Sequence, residues 1–169
     1  MVVVRRAVPC GNLIPVGVRG SSRSQRFAAF IEPESILVRS TPEDLADHPE
    51  YRTKEIPAFA ALAIIHPLLS ASSLTWGPTG SAGFELASGV STTTADSDLD
   101  LLIRVPERLP LEAAQALMNG LAGLPCRVDA QLETPHGAVS LSEYVDGDRP
   151  LLLRTNWGPR MTTNPWEPR

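Results

Sequence analysis

The sequence predicts an α/β (α+β) fold: a small mixed sheet with helices packed on one side, plus a small strand-rich N-terminal portion. Three observations carry this. Valine-rich runs cluster at the start of the chain. Two segments of clear helical period occupy its middle. Short aliphatic runs bounded by Gly, Pro and Asn alternate with those helices. The 169 residues are 43% hydrophobic and 20% charged, enough for one core without disulfides or a structural metal. Residues 1–56 read as an N-terminal strand/helix portion, and residues 57–169 as the core with a C-terminal hairpin, within what length alone makes one compact domain.

Each element has its own signal. Residues 1–6 and 13–18 read as strands, the second preceded by the turn-forming Gly11-Asn12. A Gly/Ser turn follows, and residues 25–31 read as an amphipathic helical stretch with Ser22 or Ser24 as N-cap. Residues 36–39 suggest a short strand. Thr41-Pro42-Glu43-Asp44 opens a short helix, with a capping Thr, Pro at the first position and acids in the first turn. Pro57 starts the clearest helix, where Phe59, Leu62, Ile65 and Leu69 share a face and Pro67 should kink or divide it.

Residues 74–76 read as a strand that runs into Gly80-Ser81 and a short helix over 82–87. Residues 88–97 form a polar loop, and Leu99 to Ile103 a buried strand carrying one acid. Residues 110–121 are the second good helix. Residues 126–132 alternate around Asp129, turn at Thr134-Pro135-His136-Gly137, and return over 138–141. Residues 151–154 and 159–162 pair as a hairpin around a structural Trp157, and 164–169 read as a frayed tail.

Composition removes several function classes. Fifteen Lys+Arg against nineteen Asp+Glu give a net charge of −4, which argues against a nucleic-acid binder. The longest apolar run, 58–69, has about a dozen residues and contains His66 and Pro67, too short to span a bilayer. The N-terminus lacks a signal-peptide pattern. Cys10 and Cys126 are read as small buried hydrophobes in a reducing, cytoplasmic setting. His66 on an apolar helix reads as a satisfied core or boundary residue, and His136 as a solvated turn residue. Serine-hydrolase, dinucleotide and P-loop motifs are absent from the sequence.

The chemistry gathers around three features. Gly80-Ser81 closes a strand-to-helix turn, where a backbone without Cβ lets a phosphate approach and a helix start favours anions. Asp98 and Asp100, two apart at the start of a strand, point to one face and place two carboxylates side by side. Such a pair suits Mg²⁺, with Mn²⁺ as a substitute, completed by waters and substrate phosphates. A lone Asp-x-Asp is a weak signal, but a carboxylate inside Leu99–Ile103 costs several kcal/mol unless paired or metal-bound. Asp129, on a later strand, offers a third carboxylate or a base. Arg19, Arg23 and Arg26, in and around the Gly/Ser turn, are candidate phosphate contacts. Arg154 and Arg160 flank Trp157, where a guanidinium–aromatic contact or a nucleotide-stacking platform is the alternative to a hairpin with a structural Trp.

Gly-Ser, a spacer, Asp-x-Asp on a strand and a later strand Asp resemble the polymerase-beta-like nucleotidyltransferases. The spacer here is long: sixteen residues, 82–97, separate Ser81 from Asp98. Within that superfamily the string WGPTGSAGFELASGVSTTTADSDLDLLIR resembles the phosphoribosyl-dephospho-CoA transferases of malonate decarboxylase, as do IPVGVRGSSRSQRFAAFI, VDAQLETPHGAVSLSEYV and LLLRTNWGPRMTTNPW. The resemblance covers nearly the whole chain. It implies a nucleotidyltransferase-like sheet and a segment before Met1. It implies 2'-(5''-triphosphoribosyl)-3'-dephospho-CoA as substrate, a serine of the apo acyl-carrier subunit of malonate decarboxylase as acceptor, and pyrophosphate as leaving group. It also assigns Asp98 and Asp100 to Mg²⁺, Asp129 to catalysis and Gly80-Ser81 to the pyrophosphate portion. Competing readings are a nucleotidyltransferase acting on an ordinary nucleoside triphosphate, a non-catalytic binding partner of the same fold and, least favoured, a glycosidase. The last would need carboxylates on opposite sides of a sugar bond.

Overall fold

The computed structural model describes residues 1–20, 25–147 and 150–168. The chain opens with an antiparallel three-stranded sheet in the order β1 (Val3–Val4), β2 (Ile14–Arg19), β3 (Arg26–Ile31). β3 corrects the helical reading of residues 25–31. It pairs with β2 in unbroken register from Ile14↔Ile31 to Arg19↔Arg26. A seven-residue helix is marginal without packing to hold it, whereas β2 supplies partners for the backbone of β3. The proposed caps Ser22 and Ser24, and Arg23, lie outside the described residues.

Residues 36–39 form no strand. A 3-10 turn at Pro33–Ser35 precedes them, and Leu37 and Val38 are exposed. Helix α1 (Pro42–Ala46) has the expected start: the Thr41 side chain accepts the Asp44 N–H, and the Asp44 carboxylate accepts the Thr41 N–H at 2.7 Å. A second 3-10 turn, Pro49–Thr53, buries Tyr51 and leads into helix α2 (Pro57–Ser70). Pro67 does not divide α2. It lies in the last turn, and the Ala71 N–H still reaches the Pro67 carbonyl at 3.1 Å.

The main sheet has six strands in sequential order: β4 (Thr75–Pro78), β5 (Leu99–Arg104), β6 (Val128–Thr134), β7 (Gly137–Ser140), β8 (Leu151–Thr155) and β9 (Gly158–Thr162). Only β5–β6 among these pairs is parallel, and the connection between them carries helix α4 (Leu111–Gly120). Helix α3 (Gly80–Ser88) follows β4. Helix α5 (Leu141–Asp146) follows β7 and was not expected from the sequence.

One face of this sheet holds the core. Leu99, Leu101 and Ile103 of β5, Leu132 of β6 and Leu153 of β8 pack with Phe59, Leu62, Ile65 and Leu69 of α2. The alternation of β5 turns Asp100, Leu102 and Arg104 to the other face. The N-terminal sheet meets that other face through an ion pair, Arg6 to Glu133 at 3.3 Å.

Residues 164–166 of the C-terminal tail are not frayed. Trp166 is 9% exposed, its indole N–H donates to the Val105 carbonyl at 2.8 Å, and its ring meets Tyr144 edge-on. The Thr134 hydroxyl also donates to the Pro165 carbonyl at 2.9 Å. The structural tryptophan of this region is therefore Trp166, while Trp157 at the β8–β9 turn is 78% exposed. The thiols also depart from expectation in part. Cys10 is exposed, and Cys126 is half-buried, where burial pushes its thiol up. His66 is a satisfied boundary residue: its Nε2 lies 2.7 Å from Asp47 Oδ1. Among the described residues no helix is long and apolar enough to cross a membrane.

Candidate active site

The turn between β4 and α3 is built against Asp100. Gly80 has φ +60°, and a Cβ placed on it would lie 1.8 Å from Asp100 Oδ2. Glycine is required there twice, for its left-handed backbone and for the space a methyl would occupy. The Thr79 N–H donates to the Asp100 carbonyl at 2.9 Å, which fastens the turn to β5. The side chain of Thr79, the residue before α3, makes no capping hydrogen bond. The first-turn amides of this nine-residue helix therefore have no side-chain cap.

The parallel register of β5 and β6 sets Asp100 directly opposite Asp129. Neighbouring pairs explain that register: Leu101 matches Ala130 and Ile103 matches Leu132, all buried on the core face. Asp98 and Asp100 flank the fully buried Leu99, so both project from the opposite side of the strand. Asp98 is half-exposed, with Arg127 Nη1 3.9 Å from its Oδ2. Gly80, Asp98, Asp100 and Asp129 thus come together at one end of the β5–β6 pair.

The arginines divide. Arg19 lies with its guanidinium 5.2 Å from the centre of the Phe84 ring, so the end of β2 leans over α3 three residues beyond Ser81. Arg26 pairs with Arg19 across the hairpin and is exposed. Arg23 falls outside the described residues. Arg160 and Trp157 belong elsewhere. They line a cleft of about 530 Å³ with His136, at the far end of β6 from Asp129. Six residues of strand and turn, 130–135, separate Asp129 from His136, roughly 20 Å.

Sequence reasoning missed Glu85. It is 1% exposed on α3, one turn past Ser81, and accepts from Lys54 Nζ at 2.6 Å and from the N–H groups of Thr92 and Thr93 at 2.8 Å each. Burial on its own would raise its pKa. The Lys54 contact and the two amides outweigh that and bring it down to about 2. A lone Glu amid Gly-Phe-Glu-Leu carries no sequence mark of this role. A second link missed in the sequence joins α1 to β5, where Arg104 Nε donates to Glu43 and holds that carboxyl below its usual range against the opposing effect of burial.

Among the described residues no three carboxylate, imidazole or thiol groups converge as a preformed metal cage. The donor set at Asp98 and Asp100 is two carboxylates, the second packed so closely on Gly80 that a Cβ there would collide with it. That set fits a hard cation such as Mg²⁺, which takes one or two carboxylates and draws its other oxygens from water and phosphate.

The comparisons with known proteins address the chain as a whole. Residues 44–165 match the family described as phosphoribosyl-dephospho-CoA transferase MdcG C-terminal domain, and residues 1–42 match the corresponding N-terminal domain. The chain belongs to the phosphoribosyl-dephospho-CoA transferase family. Relatives of that name include one from Pseudomonas putida (strain GB-1), 44% identical over 98% of this chain and 79% of the relative. Another, from Azotobacter vinelandii (strain DJ / ATCC BAA-1303), is 45% identical over 98% of this chain and 79% of its own. A third, from Klebsiella pneumoniae (strain 342), is 43% identical over 98% and 80%. No solved structure matches significantly. Membership makes this chain a transferase enzyme, and the six-stranded mixed sheet is consistent with a nucleotidyltransferase-like fold.

Proposed function

We propose that this phosphoribosyl-dephospho-CoA transferase moves the phosphoribosyl-dephospho-CoA group from 2'-(5''-triphosphoribosyl)-3'-dephospho-CoA to a serine of the apo acyl-carrier subunit of malonate decarboxylase. The observation that carries the reading is the cradle at Gly80, pressed against Asp100, with Asp129 in register beside it. An in-line displacement at phosphorus needs positioning and charge neutralisation more than covalent chemistry; the turn at Gly80 supports the first, and a cation held by the carboxylates would supply the second.

The serine oxygen forms a bond to the α-phosphorus. The bond from that phosphorus to the bridging oxygen of the β-phosphate breaks, and pyrophosphate leaves with the electron pair. Asp129 accepts the serine proton. Gly80 and Ser81 hold the departing phosphates through backbone N–H groups at the start of α3. Arg19 binds phosphate oxygens from above α3, Arg26 opposite it extends that positive edge, and Arg23 is taken as a further phosphate contact from its residue type alone. Asp98 and Asp100 would hold Mg²⁺ or Mn²⁺, which supplies charge neutralisation on the triphosphate when bound. The unpaired thiols of Cys10 and Cys126 support a reducing, cytoplasmic setting.

The test is the intact mass of the apo carrier subunit after incubation with this protein, the triphosphoribosyl derivative and Mg²⁺. The expected result is a gain equal to the phosphoribosyl-dephospho-CoA group, absent in EDTA and with Asp98→Asn. Labelling from ATP, CTP, GTP or UTP in place of that derivative would overturn the substrate assignment.

A further inference from the structure

Seven of the sixteen residues between Ser81 and Asp98 complete α3, and the loop that follows is tied back to that helix at Thr92 and Thr93. Glu85 lies at the centre of that fold. Its Oε2 accepts the N–H groups of both Thr92 and Thr93, and its Oε1 accepts from Lys54. The Thr92 hydroxyl donates to the Ser81 carbonyl at 3.1 Å, so the loop is tied to the first turn of α3 as well. The chain then closes a tight turn: the Thr94 N–H donates to Ser97 Oγ at 3.0 Å and the Ser97 N–H to the Thr94 carbonyl at 3.1 Å. Thr93 and Ser97 are both buried. The next residue is Asp98, and Leu99 is already paired with β6 through the Arg127 carbonyl at 2.9 Å.

We infer that Glu85 is a positioning residue: it clamps residues 92–97 onto α3 and so fixes Asp98 relative to Gly80-Ser81. The catalytic step of the transfer proposed above depends on that spacing, and the inference rests on that reading for its kinetic consequence. Three contacts to one buried carboxylate, with the Thr92–Ser81 tie beside them, link Lys54 before α2, the helix α3 and the loop before β5. A carboxylate can accept two backbone N–H groups and an ammonium at once. An amide or an alkyl side chain of the same size cannot serve all three, so the clamp is specific to the acid.

Amide hydrogen exchange and transfer kinetics on the same folded proteins test this. With Glu85→Gln, exchange of Thr92 and Thr93 should quicken by about tenfold or more, because both amides exchange a charged acceptor for a neutral one and the Lys54 pairing is lost. The effect should spread to the Ser97 amide. The kcat per folded molecule should fall roughly a hundredfold, as expected for a displaced reacting group, while KM for the dephospho-CoA derivative stays within about twofold. Should Glu85→Gln fail to fold, Thr92→Ala removes only the tie to Ser81 and should reproduce the kcat loss in weaker form. The inference is overturned if quickened exchange stops at Thr93 with Ser97 as protected as in the wild type. It is equally overturned if kcat is unchanged. A wild-type protein that transfers nothing would refute the proposed function, and exchange at Ser97 would still decide the clamp.

Discussion

The backbone of Gly80 lies so close to the carboxylate of Asp100 that a methyl group on it would sit 1.8 Å from Oδ2. The phosphate turn and the Asp-x-Asp strand are therefore one structural unit, further joined by the Thr79 N–H to the Asp100 carbonyl. Gly80→Ala should be damaging in two ways. The left-handed backbone at φ +60° costs a non-glycine residue about 1–2 kcal/mol, and the new methyl displaces Asp100. A lowered melting temperature together with transfer reduced more than about tenfold is the expected result, since each 1.4 kcal/mol of barrier is a tenfold change. Wild-type transfer by a folded Gly80→Ala protein would separate the turn from the chemistry.

Asp98→Asn and Asp100→Asn preserve shape and remove charge. Each should lower kcat on the order of a thousandfold with little change in melting temperature, because charge neutralisation at phosphorus accounts for several kcal/mol of the barrier. Asp129→Asn should cost less, on the order of a hundredfold, as for loss of a general base. Steady-state transfer assays with circular dichroism on the same samples distinguish these from misfolding. Equal losses at Asp98 and Asp129 would contradict the separate roles.

Glu85 makes stability depend on acid. Its pKa in the fold is about 2, against an ordinary value of 4.5. A lowered carboxylate pKa contributes stability that is fully present above pH 4.5 and lost as pH falls through 4.5 toward 2. The contribution is roughly 3 kcal/mol for this fully buried group. Urea unfolding at pH 6 and pH 3 should show the loss. In Glu85→Gln the difference between those two pH values should shrink, while stability at pH 6 falls.

The tail should behave as core. Trp166→Ala removes a buried ring and leaves the Val105 carbonyl without its indole donor. About 3–5 kcal/mol of destabilisation follows from the cavity. Trp166→Phe should cost less, about 1–3 kcal/mol, mainly for the unsatisfied carbonyl. Trp157→Ala, at an exposed turn, should change stability by no more than about 0.5 kcal/mol. Thermal unfolding of the three variants checks the order.

Local chemistry was legible in the residues themselves. Thr41, Pro42 and the acids after them announced the start of α1, because a cap involves only residues a few positions apart. The period of Phe59, Leu62, Ile65 and Leu69 announced α2, and the strings around Gly80-Ser81 and Asp98-Leu99-Asp100 announced both the turn and the family. These signals lie within a few residues of one another, where backbone geometry alone relates the side chains.

What required the tertiary structure was every relation between distant segments. The facing of Asp100 and Asp129 depends on a parallel register across a helical crossover, and a slip by one residue would turn Asp129 to the core. Residues 25–31 have a composition open to either helix or strand, and became β3 because β2 lay alongside to satisfy their backbone groups. Trp166 is held by a carbonyl sixty-one residues earlier, and Glu85 by a lysine thirty-one residues earlier and two amides in the following loop. The sequence by itself determined α2, β5, the strand-to-helix turn at Gly80-Ser81 and the family. Only the folded chain decided the strand register, the buried tail and the Glu85 clamp, because those rest on burial and hydrogen bonds that no local pattern encodes.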